Sequence, residues 1–437
     1  MNCRKILAEI FQKALAAVQP RTLMQKTVRI KSGKLWIGGR RYHLHEDGGI
    51  YVFGSGKASV GMAREVRRVL RGRLAGGFVI SNERNVSLED IDVFESSHPV
   101  PTEKSVRAAE ILTARLSGLT EEDFFIYLLS GGSSALLEKP LTPIRLSDMR
   151  KTTELLLRHS VPIGDINVVR KHLSAVKGGR LGRMSRARGV VLVISDVIGD
   201  DLEAIGSAPL YRDRSSYADT RDILQKHDLW NRLPASVKRV IIRGLKAEME
   251  DTPEQENPNI RHLVIGSNSI LLEEAKRIFE SLGIRSRIMT SGLRGEAKEA
   301  ARAIIAIGEE VMKKGRPFKG PVALIFGGET TVDVKGTGRG GRNQEMCLAA
   351  LREIGTRKEM TFLSAGSDGI DGNSDAAGAV VDSRSYQKAM HLNLRVDDYL
   401  KNNDSHNFFK QTGGLLYTGD TGTNVMDISI LYVGEGK

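Results

Sequence analysis

Ile50-Tyr51-Val52-Phe53-Gly54-Ser55-Gly56-Lys57-Ala58-Ser59 is a short apolar run that breaks into a glycine-rich turn, and a helical pattern follows to about Leu70. Strand, tight turn and helix in that order make the opening unit of a parallel sheet covered by helices on both faces. The pattern repeats: 77–80 reads as the next strand, 102–117 as a helix, and the apolar strand 124–129 ends in Ser130-Gly131-Gly132-Ser133-Ser134. Helical patterns at 146–158 and 165–184 lead to strand 190–194, which runs into Ser195-Asp196. Upstream, apolar residues at helical spacing over 6–18 predict an amphipathic helix, and 34–46 a small β-hairpin.

Glu248 opens EMEDTPEQENP, an acidic, proline-containing stretch almost without apolar residues, which reads as a linker. Beyond it the alternation restarts, with strands at 262–265, 285–289, 322–326, 330–334 and 361–364 and helices at 268–282, 295–314 and 342–354. Strands near 415–417 and 426–433 close the chain. The expected organisation is therefore an α/β domain over 1–247, a linker over 248–260 and a second α/β domain over 261–437. A chain of 437 residues suits two or three domains.

Hydrophobic residues make up 40% and charged residues 27%, which is globular composition. No apolar run is long enough for a membrane helix, and Glu9, Gln12 and Lys13 interrupt any secretory core. The two cysteines, Cys3 and Cys347, exclude a disulfide framework and fit a reducing cytoplasm. The net charge of +12 admits nucleic acid or small anions. Basic residues are interleaved with acids along the chain and aromatics are 5%, so small anions are favoured, with neither nucleic acid nor membrane as partner.

Ligands of open parallel sheets bind where strands end, and glycine-rich turns there let backbone N–H groups converge on an anion. Gly54–Ser59 is not a Walker loop, because Tyr51 and Ala58 stand where glycine and Ser/Thr are required. It is one residue from a dinucleotide fingerprint, with Ser59 in place of the third glycine and Glu83 at a ribose-binding spacing. Lys57 offers a point charge to phosphate or carboxylate. Ser130, Gly131, Gly132, Ser133 and Ser134 form a second cradle, or a turn capping a helix. The stretch Lys171–Arg180 alone reads as a basic helix surface. Asp196, closest to its strand among Asp196, Asp200 and Asp201, suits Mg²⁺ or a hydroxyl proton. In the second half, Gly327, Gly328, Glu329 and Thr330, with Gly340 and Gly341, flank Arg342 and Asn343, and Arg342 is placed for bidentate contact with phosphate. Asp368 lies in an acidic loop with Asp371 and Asp375 that lacks EF-hand spacing. His98 sits between Ser97 and Pro99, and no histidine pair has zinc spacing.

The motifs GSGKAS, LLSGGSSAL, VRKHLSAVKGGRL, SDVIGDD, GGETTV, GRGGRNQE, SAGSDGIDGNSDAAGA and TGDTGTNV follow one another from Gly54 to Val425. Together they resemble the two-domain, MOFRL-containing glycerate kinase family, the glycerate 2-kinases. The chain departs from that pattern at Ser96, Ser97, Asp420 and Met426. The resemblance implies a Rossmann-like first domain, a smaller α/β second domain and an active site in the cleft between them. It also implies ATP and Mg²⁺ as partners and transfer to D-glycerate, mostly at the 2-hydroxyl. Lys57, Arg342 and Asp368 are similar to the family's catalytic set. With Asp196 they are the expected catalytic residues, and Asp196 and Asp368 the expected Mg²⁺ carboxylates. Ser130–Ser134 and His98 are assigned to glycerate, and Gly327, Gly328, Glu329, Thr330, Gly340, Gly341 and Asn343 to ATP. Assembly as a homodimer stays open. The alternatives are a hydroxypyruvate reductase, weakened by Ser59, and a nucleotide- or nucleic-acid-binding protein, weakened by the scattered charge.

Overall fold

The structure, a computed structural model, describes residues 2–435. The chain forms two compact units. The first comprises residues 23–195 and 200–265, the second residues 2–22, 196–199 and 266–435.

The first unit is built on a six-stranded sheet in the order Asp92–Glu95, Leu74–Ser81, Ile50–Ser55, Phe124–Leu129, Arg188–Ile194, Ile260–Gly266. Its first five strands pair in parallel. Numbered along the chain this is 3-2-1-4-5-6, the Rossmann order, in which the direction of winding reverses between Ile50–Ser55 and Phe124–Leu129. Phe124–Leu129 is buried at every position, which is why it reads as an unbroken apolar run. The expected hairpin is part of a three-stranded antiparallel sheet, Val28–Lys31, Lys34–Ile37 and Arg40–Tyr42. A separate core of helices includes Leu156, Val169, Leu224 and Val240.

The second unit has a mixed sheet, in the order Ser286–Leu293, Val322–Gly328, Asp427–Val433, Met360–Gly366, Gly378–Asp382, Leu415–Leu416. Only the first pair is parallel; Asp427–Val433 runs antiparallel between Val322–Gly328 and Met360–Gly366. Helix Arg342–Ile354 is buried from Asn343 to Leu351 and packs in the main core of this unit with Phe326, Phe362 and Leu431.

Three expectations need correction. Residues 330–334 are not a strand; Thr331 makes a single bridge to Glu296. The helix expected over 165–184 is Ile163–Leu173, after which Ser174 is extended and Gly178 and Gly179 take φ of +56° and +79°. The stretch 248–260 packs on the first unit: Asp213 N–H donates to the Pro253 carbonyl at 2.8 Å, and Asp251 lies 2.8 Å from His172 Nε2. The N-terminal helix Cys3–Ala17 belongs with the second unit, whose Thr423 hydroxyl donates to the Val18 carbonyl at 3.0 Å. Among the described residues no helix is long and apolar enough to cross a membrane. Among the described residues neither Cys3 nor Cys347 is part of a disulfide.

A buried ion pair, Lys171 Nζ to Asp213 Oδ1 at 2.6 Å, ties helix Ile163–Leu173 to the loop before helix Tyr217–Lys226. Burial alone would raise Asp213, but Lys171 and the Ser215 N–H and hydroxyl hold its carboxyl below the usual range. A depressed acid contributes stability that is present above its unfolded pKa, about 3.9, and is lost as pH falls through its folded value. Asp213→Asn leaves Lys171 buried and unmatched, so it is expected to cost about 3–5 kcal/mol at neutral pH. The gap to wild type should close well below pH ~4. Thermal midpoints across pH 2–7 test this; a constant gap would place the stabilisation elsewhere.

Candidate active site

The reversal point of the first sheet creates the first cluster. Gly54 lies opposite Leu128 and Ser55 opposite Leu129, so the loops after both strands leave the sheet side by side. Ser130 N–H donates to the Ser55 carbonyl at 3.2 Å and Lys57 N–H to the Gly131 carbonyl at 2.9 Å. Gly56 has φ +132°, and a Cβ there would strike Ser130, so this approach requires glycine. The result presents Lys57 at the surface beside His98. A Cβ on Gly132 would lie 3.2 Å from Lys57 Cγ and 3.1 Å from His98 Cδ2. Burial, and then the charge of Lys57, hold His98 below the usual imidazole range, which keeps its ring neutral at neutral pH.

The serines of this cradle point elsewhere. Ser130 Oγ accepts from Ala58 N–H at 3.0 Å, Ser133 Oγ bonds Ser55 Oγ at 2.6 Å, and Ser134 Oγ bonds Ser207 Oγ at 2.7 Å. Their hydroxyls brace the loop from within, so the ligand-facing surface beside Lys57 is backbone and charge. Ser59 is buried, its Oγ 2.6 Å from the Gly56 carbonyl and 3.0 Å from the Ile80 carbonyl. A buried hydroxyl thus fills the third-glycine position of the dinucleotide fingerprint.

The second cluster lies in the second unit. Arg342 opens helix Arg342–Ile354 and lines a cleft of about 720 Å³ with Glu329, Thr330, Gly340 and Gly341. Its guanidinium is fixed by Asp427, with Nε to Oδ2 at 2.5 Å and Nη2 to Oδ1 at 2.9 Å. Nη1 lies 3.1 Å from Glu329 Oε1. Asp427 is the first residue of the central antiparallel strand, and its register partners are Gly328 and Gly366. It therefore stands next to the carboxyl ends of both neighbours, beside Glu329 and the loop carrying Asp368. A Cβ on Gly366 would lie 3.1 Å from Asp368 Oδ1 and 3.3 Å from Asp427 Oδ1. Burial pushes Glu329 up; Arg342 opposes this, and the charges of Asp427, Asp196 and Asp368 add to the rise. Asp196, which groups with the second unit, thus lies with Asp368 within electrostatic reach of Glu329.

The helix start itself is capped from outside. Asp371 accepts the N–H groups of Asn343 and Gln344 at 3.0 and 2.8 Å and their side-chain amides at 3.2 and 3.0 Å. Burial pushes Asp371 up to about 6 against those bonds. Asn343 Oδ1 accepts from the Ser364 hydroxyl at 2.6 Å. Gly327, Gly328 and Asn343 line a separate crevice of about 10 Å³ with Asp427, not the large cleft. Asn343 supports the site from below, whereas Glu329, Thr330, Gly340 and Gly341 border the open cleft. Among the described residues no three His, Cys, Asp or Glu side chains are arranged to hold a metal ion. Mg²⁺ commonly takes only one or two carboxylates and completes its shell with water and phosphate, and Asp196 and Asp368, both within electrostatic reach of Glu329, are of the donor type it takes.

Comparison with known proteins agrees with this geometry. The family described as "Domain of unknown function (DUF4147)" matches residues 6–242, and the MOFRL family matches residues 322–427. The chain is 41% identical to a glycerate 2-kinase of Pyrococcus horikoshii, covering 99% of this chain and 98% of that one. It is 38% identical to a D-glycerate 2-kinase of Thermotoga maritima, covering 98% of each. A crystal structure of the Thermotoga maritima glycerate kinase superposes with a TM-score of 0.88 at 37% identity, over 99% of both chains. The chain thus combines a Rossmann-order sheet unit with a second unit that carries the MOFRL match. The chain belongs to the MOFRL-containing glycerate 2-kinase family.

Proposed function

We propose that the protein transfers the γ-phosphoryl group of ATP to the 2-hydroxyl of D-glycerate. The observation that carries this reading is the guanidinium of Arg342, locked bidentately to Asp427 at the edge of a cleft of about 720 Å³. Asp427 uses Nε and one N–H of Nη2 and Glu329 faces Nη1, so one N–H on each terminal nitrogen remains for phosphate oxygens.

Phosphoryl transfer asks the protein for positioning and charge neutralisation more than for covalent chemistry. In our reading the second unit holds the donor. The glycines at 340 and 341 let the triphosphate approach the backbone, and Arg342 meets the charge that spreads over the transferring group. The first unit holds the acceptor, with Lys57 as the point charge and neutral His98 hydrogen-bonding a substrate oxygen. Asp196 and Asp368 would hold Mg²⁺, which neutralises phosphate charge when bound; the carboxylate not so engaged orients the attacking hydroxyl. Two cysteines outside any disulfide agree with a reducing, cytoplasmic setting. The reductase alternative gains no support: Ser59 closes the turn with a buried hydroxyl, and the relatives named above are kinases.

The test is ADP release from purified protein with ATP, Mg²⁺ and D-glycerate, with product read by added enolase, which accepts 2-phosphoglycerate directly. ADP release with enolase turnover and no mutase is the expected result. ADP release without enolase turnover moves the transfer to the 3-hydroxyl, and no ADP release removes glycerate as the acceptor.

A further inference from the structure

Helix Ile163–Leu173 and the turn after it carry the cations Arg170, Lys171 and Lys177, and Arg170 reaches the Ser130–Ser134 loop. Two are matched by buried carboxylates. Lys171 pairs with Asp213 at 2.6 Å, and Lys177 pairs with Glu138 while donating to the Leu137 carbonyl at 3.1 Å. Arg170 is not matched. Its Nη2 donates to the Ser134 carbonyl at 3.0 Å, and among the described residues it makes no ion pair. A guanidinium has five N–H donors, so four remain. Its charge is felt locally: burial brings Lys177 down to about 8 against the pull of Glu138, and Arg170 adds to the lowering. A half-buried arginine without a counter-ion is costly unless something anionic completes it.

Ser134 is the last residue of the loop whose Gly132 touches Lys57 and His98. The loop's hydroxyls are turned inward onto Ala58, Ser55 and Ser207. The anion-binding capacity of this cradle therefore comes from the unmatched cations on its two flanks, Lys57 on one side and Arg170 on the other. Lys57, like Arg170, makes no ion pair among the described residues. A planar fork matches a carboxylate bidentately, and a lysine serves a phosphoryl group as a point charge.

We propose that Arg170 is the specificity-determining residue for the acceptor: its free guanidinium edge binds the carboxylate of the hydroxy acid, leaving Lys57 for the transferring phosphoryl group. This rests on the kinase reading above. In the same motif, VRKHLSAVKGGRL, Lys171 and Lys177 are internal, paired with Asp213 and Glu138.

The experiment compares D-glycerate with D-glyceramide, the neutral near-isostere, in wild type, Arg170→Lys and Arg170→Gln. A charge-assisted hydrogen bond contributes roughly 1.5–3 kcal/mol, so Arg170→Gln should raise KM for glycerate about 10–100-fold. The preference for glycerate over glyceramide should fall by a similar factor, with KM for ATP within about twofold of wild type. Arg170→Lys should recover part of the preference, because it keeps the charge and loses the fork. A purely structural role would lower turnover of both acceptors together; an unchanged preference ratio overturns the assignment. Should Arg170→Gln fail to fold, the glycerate-induced rise in the thermal midpoint of Arg170→Lys decides: a smaller rise than in wild type supports the proposal, and an equal rise overturns it. Wild type is assayed first. Absence of ADP release there overturns the kinase reading, whereas turnover with an unaltered preference in the variants overturns only the role of Arg170.

Discussion

Arg342→Ala is expected to lower kcat for glycerate phosphorylation about a thousandfold, the effect of removing a charged donor from a phosphoryl-transfer or oxyanion site. The variant should also be less stable, by about 3–5 kcal/mol, for a different reason. Asp427 is buried, and its carboxylate is compensated by the two Arg342 bonds at 2.5 and 2.9 Å. Burial pushes the Asp427 carboxyl up, and the hydrogen bond and charge of Arg342 pull it back. Without the guanidinium, a charge remains in a site that cannot solvate it. The two effects can be separated. Arg342→Gln with Asp427→Asn removes both charges and leaves two amides of suitable length, so stability should return most of the way while activity does not. Thermal midpoint and kcat are measured for the four corners of this cycle. Activity returning with stability would make Arg342 a structural residue only. In the Arg342→Ala background, Asp427→Asn should cost little further kcat, because Asp427 acts through the arginine. A second large loss there would give Asp427 an independent role.

The elements and loops of the first unit were legible because each central strand is buried on both faces and writes itself as an apolar run ending in glycine and serine. Ile50–Ser55 and Phe124–Leu129 are of this kind, and the reversal between them placed Lys57 and the Ser130–Ser134 loop together. Asp427 was not legible. Strand 426–433 carries no mark of its direction, since an apolar run looks alike in parallel and antiparallel settings. Only its antiparallel insertion brings its first residue, rather than its last, beside Gly328 and Gly366. Hydroxyl direction was equally hidden. Ser130, Ser133 and Ser134 look like a cradle in sequence, and only the packing of Ser55, Ala58 and Ser207 turns them inward. The stop of helix Ile163–Leu173 has only a late signal in sequence, the pair Gly178-Gly179, and the helical spacing of apolar residues runs on to it past the true end. The N-terminal helix shows a further limit: its apolar stripe states that it packs, not that residues 266–435 are what it packs with.

Lys57→Ala provides the contrasting case, a large loss of activity with almost no change in stability. Lys57 is exposed, and the turn is held by its backbone N–H on the Gly131 carbonyl and by Ala58 on Ser130, bonds that survive truncation of the side chain. Stability should therefore stay within about 0.5 kcal/mol of wild type. In the proposed reaction the ammonium supplies a preorganised charge, and its removal should lower kcat/KM for glycerate by about two to three orders of magnitude. Lys57→Arg should not restore it, because a planar fork replaces a compact, strongly hydrated point charge. His98 offers a reporter that does not depend on turnover. Burial holds its pKa down first and the Lys57 charge second, so removing the charge should let the imidazole titrate at higher pH while still below a free histidine. A His98 titration by NMR in wild type and Lys57→Ala measures this directly. An unchanged curve would mean that the ammonium points away from His98, and the activity loss would then need a cause other than a charge at this end of the sheet.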